Sequence, residues 1–183
     1  MKKFDKLISE ALALGAYKAN VINADLIETD RVFRDICASN ACGMYGKCYM
    51  CPPDCGEIDD LMAEVGNYKY ALVYQTVFEL EDSYDFEGMF DAKKRFIPIS
   101  LSLRKVFTEK EIAKTLHLGA GGCGICPVCA KRIGDPCRRP DLAMPGLEAY
   151  GINVSRLAAA ADMKYINGQN TVTYFGAVLF TDE

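Results

Sequence analysis

The stretch that most constrains this chain is Gly119-Ala120-Gly121-Gly122-Cys123-Gly124-Ile125-Cys126-Pro127-Val128-Cys129, closed by Cys137 in the run Asp135-Pro136-Cys137-Arg138-Arg139-Pro140. Its spacing is Cys-x2-Cys-x2-Cys-x7-Cys. Three thiols two residues apart let one tight loop wrap three corners of a cubane, and a more distant cysteine supplies the fourth. Structural zinc sites usually pair two Cys-x2-Cys knuckles or add histidine. With a single histidine in the chain, a [4Fe-4S] cluster is the preferred occupant and zinc the alternative. The glycines suit that reading. Gly122 and Gly124, with Gly119 and Gly121, let the backbone close in and turn N–H groups toward a negatively charged object. A sharp turn with no ligand duty would use the same residues. A phosphate loop is disfavoured, because no Gly-Lys-Ser/Thr follows and the glycines do not fit a dinucleotide fingerprint.

A second group lies upstream: Cys37, Cys42, Cys48, Cys51 and Cys55, five cysteines in residues 37–55. Four would complete a site, so either Cys48 or Cys55 is a spare, a free thiol, or a ligand lent to the other group. Cys55 precedes Gly56-Glu57 at an expected helix start, where the helix dipole favours a thiolate, and it is preferred as the fourth ligand. The chain opens Met-Lys-Lys-Phe-Asp-Lys and runs into an acid-bearing amphipathic stretch, with no apolar leader. A cytoplasmic, reducing setting follows, in which thiols serve as ligands rather than disulfides. Nine cysteines fit four plus four plus one better than full pairing.

At 183 residues one domain spanning 1–183 is the default. A net charge of −4 argues against broad nucleic-acid binding, which needs a basic surface. No apolar run approaches the ~18–20 residues of a membrane helix.

Helical spacing marks 4–16, 57–65, a long stretch from the acidic connection 79–87 to about 112, and 154–163, with helical turns at 145–151. Pro98 should kink or divide the long helix. Strands are expected at 18–27, 68–80, 115–118 and 171–180, of which 68–80 and 171–180 are the densest in aromatic and β-branched residues. The interval 37–55, rich in Gly, Pro and Asn, reads as loop. The expected fold is an α/β sandwich of about four strands, with cysteine-rich loops at 37–55 and 119–140 inserted at element ends.

Three blocks carry a resemblance: Cys42-x2-Tyr45-Gly46-Lys47-x3-Cys51-Pro52-Pro53; Gly122-Cys123-x2-Cys126-x2-Cys129-x7-Cys137-Arg138-x-Pro140; and Pro145-x2-Glu148-Ala149-x-Gly151-Ile152-Asn153-Val154. Together they resemble a family of small cysteine-rich cytosolic proteins of anaerobic microbes, described as predicted metal-binding proteins. The resemblance covers less than half the chain. It implies ligand roles for Cys37, Cys42, Cys51, Cys123, Cys126, Cys129 and Cys137, and an iron–sulfur function. Its association with corrinoid-dependent methyl-transfer systems implies a redox or activation role. Asn153 and Gly146 depart from the acidic residue and serine expected there.

Around Cys137, Lys131, Arg132, Arg138 and Arg139 would offset the charge of a thiolate-bound cluster, hold an anionic ligand or acidic partner, or simply form a solvated loop. Glu148 is placed to orient Arg138 or Arg139. His117 reads as a core histidine in a strand ahead of a cluster neighbour. Tyr45, Tyr49 and Tyr150 flank the motif blocks; Met62, Met89 and Met163 read as packing residues. Lys93, Lys94 and Arg95 read as an exposed helix face. The function expected is an iron–sulfur protein with two [4Fe-4S] clusters that delivers electrons to a redox partner. The alternatives are a zinc-stabilised binding module and an enzyme that binds substrate at an open cluster iron.

Overall fold

The stretch Tyr70–Glu79 buries six consecutive residues, Ala71 to Thr76, whereas a strand covered on one face buries every second one. Thr171–Thr181 behaves the same way from Phe175 to Phe180. These are the central strands of a sheet with both faces covered. The computed structural model describes residues 3–110, 112 and 114–182. Its strands are β1 (Lys18–Asn23), β2 (Tyr70–Glu79), β3 (Lys114–Leu118) and β4 (Thr171–Thr181), in the order β1-β2-β4-β3. Every neighbouring pair is antiparallel, with β2 and β4 in register from Tyr70↔Phe180 to Glu79↔Thr171.

Because successive side chains leave opposite faces, the sheet splits the interior into two cores. Ala71, Val73, Phe175, Ala177 and Leu179 meet α3 (Ile58–Val65) and α5 (Val154–Ala160). Leu72, Tyr74, Val178 and Phe180 meet α1 (Asp5–Ala13) and α4 (Phe86–Glu109). The fold is therefore an α/β sandwich, helices on both faces of a four-stranded sheet. α4 packs through Ala92, Phe96, Ser100, Leu103 and Phe107, one stripe at helical spacing, and its start is capped by Asp85, which accepts from the Gly88 N–H at 2.8 Å. Asn153 caps α5 by accepting from the Arg156 N–H at 3.1 Å, so the departure at this position keeps a helix-starting side chain.

Three expectations change. β1 stops at Asn23, and Ala24–Leu26 form a 3-10 turn instead of continuing the strand. A short helix, α2 (Val32–Ala38), carries Cys37 and shortens the expected loop from its front. Pro98 lies inside α4 without dividing it, because Phe96 and Ser100 on either side are fully buried against the sheet and hold the backbone there. No helix among the described residues is long and apolar enough to cross a membrane.

Gly176 stands opposite Tyr74, and a Cβ there would lie 2.3 Å from the Tyr74 ring and hydroxyl, so the phenol depends on that glycine. The Tyr74 hydroxyl lies 2.8 Å from the Ser100 hydroxyl and 2.8 Å from His117 Nε2. A neutral His117 with its proton on Nε2 donates to Tyr74, which donates to Ser100, which donates to the Phe96 carbonyl at 3.3 Å. The single histidine is thus a core residue.

Burial, with a smaller push from Arg104, lowers the His117 pKa to about 3. The unfolded chain, titrating near ~6.5, binds the extra proton between those values. Stability from the neutral imidazole is complete above about pH 6.5 and falls by about 1.4 kcal/mol per unit as pH drops toward 3. Urea unfolding at pH 7 and pH 5 is expected to show roughly 2 kcal/mol more loss for the native chain than for His117→Gln. Equal losses would contradict a neutral buried histidine.

Candidate metal centre

The downstream cysteine loop grows directly from β3. Gly119 pairs with Gly146, its N–H donating to the Pro145 carbonyl at 2.8 Å and its carbonyl accepting from Leu147 at 2.9 Å. That bridge pinches residues 120–145 into a loop with a closed root. A Cβ on Gly146 would sit 2.6 Å from the Gly121 carbonyl oxygen, which explains why the serine expected there is missing. Gly124, with φ of +68°, also approaches α4 so closely that a Cβ would meet Ile97 at 2.8 Å.

The two loops are stitched together. The Tyr49 hydroxyl donates to the Asp135 carbonyl at 2.8 Å, Lys131 pairs with Asp54, and Arg132 reaches Met44 Sδ at 3.6 Å. The thiols follow this docking rather than their order in the chain. Cys37 feels the charge of Cys42 and Cys55, and Cys51 that of Cys42, Cys55 and Cys48. Arg34, one turn before Cys37 on α2, donates to Cys55 Sγ at 3.9 Å and to the Gly56 carbonyl at 2.9 Å. Cys48 turns the other way. The Cys51 thiol, the backbone N–H groups of Cys123 and Met50 and the Cys129 thiol lie close to its sulfur and lower its pKa against the opposing effect of burial.

These neighbours, Cys51 above all, favour the thiolate form of Cys48. The Cys51 pKa is driven up by Cys48 and by burial. Burial raises Cys123, opposed by N–H groups of Ile125 and Met144. Burial likewise raises Cys37 and Cys55, the latter opposed by Arg34. Cys37, Cys42, Cys51 and Cys55 thus lie near one another, and Cys48 stands against Cys123 and Cys129 of the downstream loop. Cys48 and Cys51 are the seam.

Cys42, Cys48, Cys123, Cys126, Cys129 and Cys137 line a cavity of about 780 Å³, walled opposite by α4. Gly122 lines it too, and a Cβ there would lie 3.5 Å from Cys51 Sγ. Among the described residues no three Cys, His, Asp or Glu donors close on a point that one ion could occupy. The donor chemistry, all thiol with backbone N–H groups and cations around it, fits a thiolate-ligated group.

Several sequence expectations land elsewhere. Arg138 and Arg139 line the cavity, yet Glu148 salt-bridges neither: Arg139 lies 3.7 Å from Asp141, and Arg138 donates to the Val128 carbonyl at 3.3 Å. Glu148 instead lies near Lys93 and the Gly121 N–H, which lower its pKa against the larger upward push of burial. Tyr150 donates to Glu64 at 3.2 Å, away from the cavity. Met163 is buried in the core, whereas Met89 lines the cavity. Two residues were missed. Arg34 was signalled by its i, i+3 relation to Cys37. Lys93, expected on an exposed helix face, reaches the Ala120 carbonyl, and burial lowers its pKa to about 8.

Fold and thiol arrangement together define a cysteine-rich metal-binding α/β protein. A family model described as "Predicted metal-binding protein (DUF2284)" matches residues 20–180, and the chain belongs to that family. Both cysteine groups fall inside the match. Searches of curated proteins and of solved structures return no match.

Proposed function

We propose that this protein holds two [4Fe-4S] clusters and delivers electrons to a partner enzyme. The carrying observation is that the two cysteine loops are docked on each other through Tyr49–Asp135 and Lys131–Asp54, so that Cys42 and Cys48 line one cavity with Cys123, Cys126, Cys129 and Cys137. Cys37, Cys42, Cys51 and Cys55 would hold one cluster. Cys123, Cys126 and Cys129 would hold the other, with Cys137 or Cys48 as the fourth ligand. Bound clusters of this type supply one-electron redox chemistry.

The chain's own groups suit that charge. Arg34 serves the first set, while Lys93, Arg132 and Arg138 surround the second, offsetting negative charge that would otherwise oppose reduction. The seam keeps the two sets adjacent, which favours transfer between them over two independent structural ions. A tetrahedral zinc–thiolate site needs sulfurs within about 3.8 Å of one another, given Zn–S bonds near ~2.3 Å. That no three donors close on a single-ion point among the described residues, while six cysteines line the cavity, favours the larger group. Corrinoid-dependent methyl-transfer systems are the partner class suggested by the resemblance in the motif blocks.

The test is an anaerobic reductive titration. Broad absorption near ~400 nm is expected to bleach as about two electrons enter each chain. An iron-loaded protein that accepts none before its clusters are destroyed would contradict the relay.

A further inference from the structure

α4 carries two stripes, and only one packs on the sheet. Phe86, Met89, Phe90, Lys93, Lys94 and Ile97 recur at i, i+3, i+4, i+7, i+8 and i+11, the spacing of a second helical face, and all six line the cavity. Phe86 and Phe90 are 65% and 71% exposed, unusual for aromatic rings with nothing to cover them. The cavity of about 780 Å³ lies within the ~300–1,000 Å³ range of small-molecule sites, and a cluster on its cysteine wall would take only part of that volume.

Charge narrows the occupant. Lys93, Lys94, Arg132, Arg138 and Arg139 line the cavity and no Asp or Glu does, although the chain as a whole carries a net charge of −4. Lys94 and Arg139 have carboxylates close by, at 2.8 Å to Asp91 and 3.7 Å to Asp141. Lys93 is bonded to a carbonyl. Arg132 and Arg138 touch only a thioether at 3.6 Å and a carbonyl at 3.3 Å among the described residues. Guanidinium groups with neutral neighbours beside an aromatic wall suit a carboxylate, sulfonate or phosphate attached to an apolar body.

We infer that the cavity is a binding site for a small amphipathic anion, its apolar part lying along Phe86, Met89, Phe90, Ile97 and Tyr174 and its charged end held by Arg132 and Arg138. The inference rests on the metal-binding reading for the opposite wall, which the cysteines form. A surface with this wall left bare would expose its rings to water; a ligand with an aryl or acyl body covers them and removes that cost.

The experiment is equilibrium dialysis of the anaerobically purified protein against anilinonaphthalene sulfonate, an aryl anion, and against neutral N-phenylnaphthylamine. The probe is read on the protein-free side, so the colour of the protein does not interfere. One sulfonate per chain is expected, with Phe90→Glu weakening both probes about 10-fold or more. Arg132→Gln/Arg138→Gln is expected to weaken the sulfonate to a similar degree and leave the neutral amine unchanged. Phe90, Arg132 and Arg138 are exposed, so these variants do not disturb the core. Non-saturable uptake, or equal affinity across native protein and variants, overturns the inference, as does an arginine effect shared by the neutral probe. Iron and zinc are measured on the same samples. Specific anion binding to iron-free protein would sink the cluster reading alone, and iron-loaded protein without it would sink this inference alone.

Discussion

Replacing Cys126 with Ala is expected to remove about half of the bound iron, leaving roughly four of eight atoms per chain. Cys126 lines the cavity in the middle of its Cys-x2-Cys-x2-Cys run and belongs to neither core of the sandwich. Its loss therefore removes a ligand without creating a hole under the sheet, and circular dichroism should be unchanged. The proposed upstream ligands, Cys37, Cys42, Cys51 and Cys55, would keep their positions and Arg34 beside Cys55. Iron analysis after anaerobic purification reads the outcome. Unchanged iron would show that Cys126 is not an essential ligand. Complete loss would show that the two sets form one indivisible site, which the shared seam at Cys48 and Cys51 makes the informative failure.

Phe96→Ala is expected to destabilise the fold by about 3–5 kcal/mol, the cost of deleting a fully buried aromatic side chain. Phe96 is completely buried where α4 crosses the sheet, its ring stacked 5.9 Å from Tyr74 and tilted 5.7 Å from Tyr174. It also anchors the helix immediately before Pro98, where the Lys94 carbonyl loses its usual i+4 donor. Because α4 turns its other stripe to the cysteine loop, the same change should loosen the cavity wall and hasten metal loss. Urea denaturation with iron release followed in parallel measures both. A loss below about 1 kcal/mol would mean that the core relaxes around the cavity far more than a close-packed interior does.

Much of the fold was legible because strong local patterns agreed with burial. β2 and β4 are dense in β-branched and aromatic residues, and the helix starts at Asp85 and Asn153 carry capping side chains. α2 was not legible: its seven residues bury nothing, so no apolar period marks it. The strand pattern at 18–27 overran because Ala24–Leu26 keep apolar side chains through a turn, and hydropathy alone does not see the change of backbone.

At the site, residue types were legible and their grouping was not. Cys48 and Cys51, three residues apart, lie side by side, yet Cys48 also meets Cys123 and Cys129 of the downstream loop, a neighbourhood that spacing along the chain does not reveal. Lys93 shows the opposite failure. Reading Lys93-Lys94-Arg95 as one exposed patch hid a helical period in which Lys93 turns toward the loop and Arg95 stacks on Phe78 at 4.5 Å. Counting the period from Phe86 would have separated them.

Iron and acid-labile sulfide, measured in protein purified without oxygen, test the two-cluster proposal most directly. Two [4Fe-4S] clusters predict about eight of each per chain, in brown protein, with zinc near zero. Colourless protein carrying stoichiometric zinc and no sulfide would contradict it.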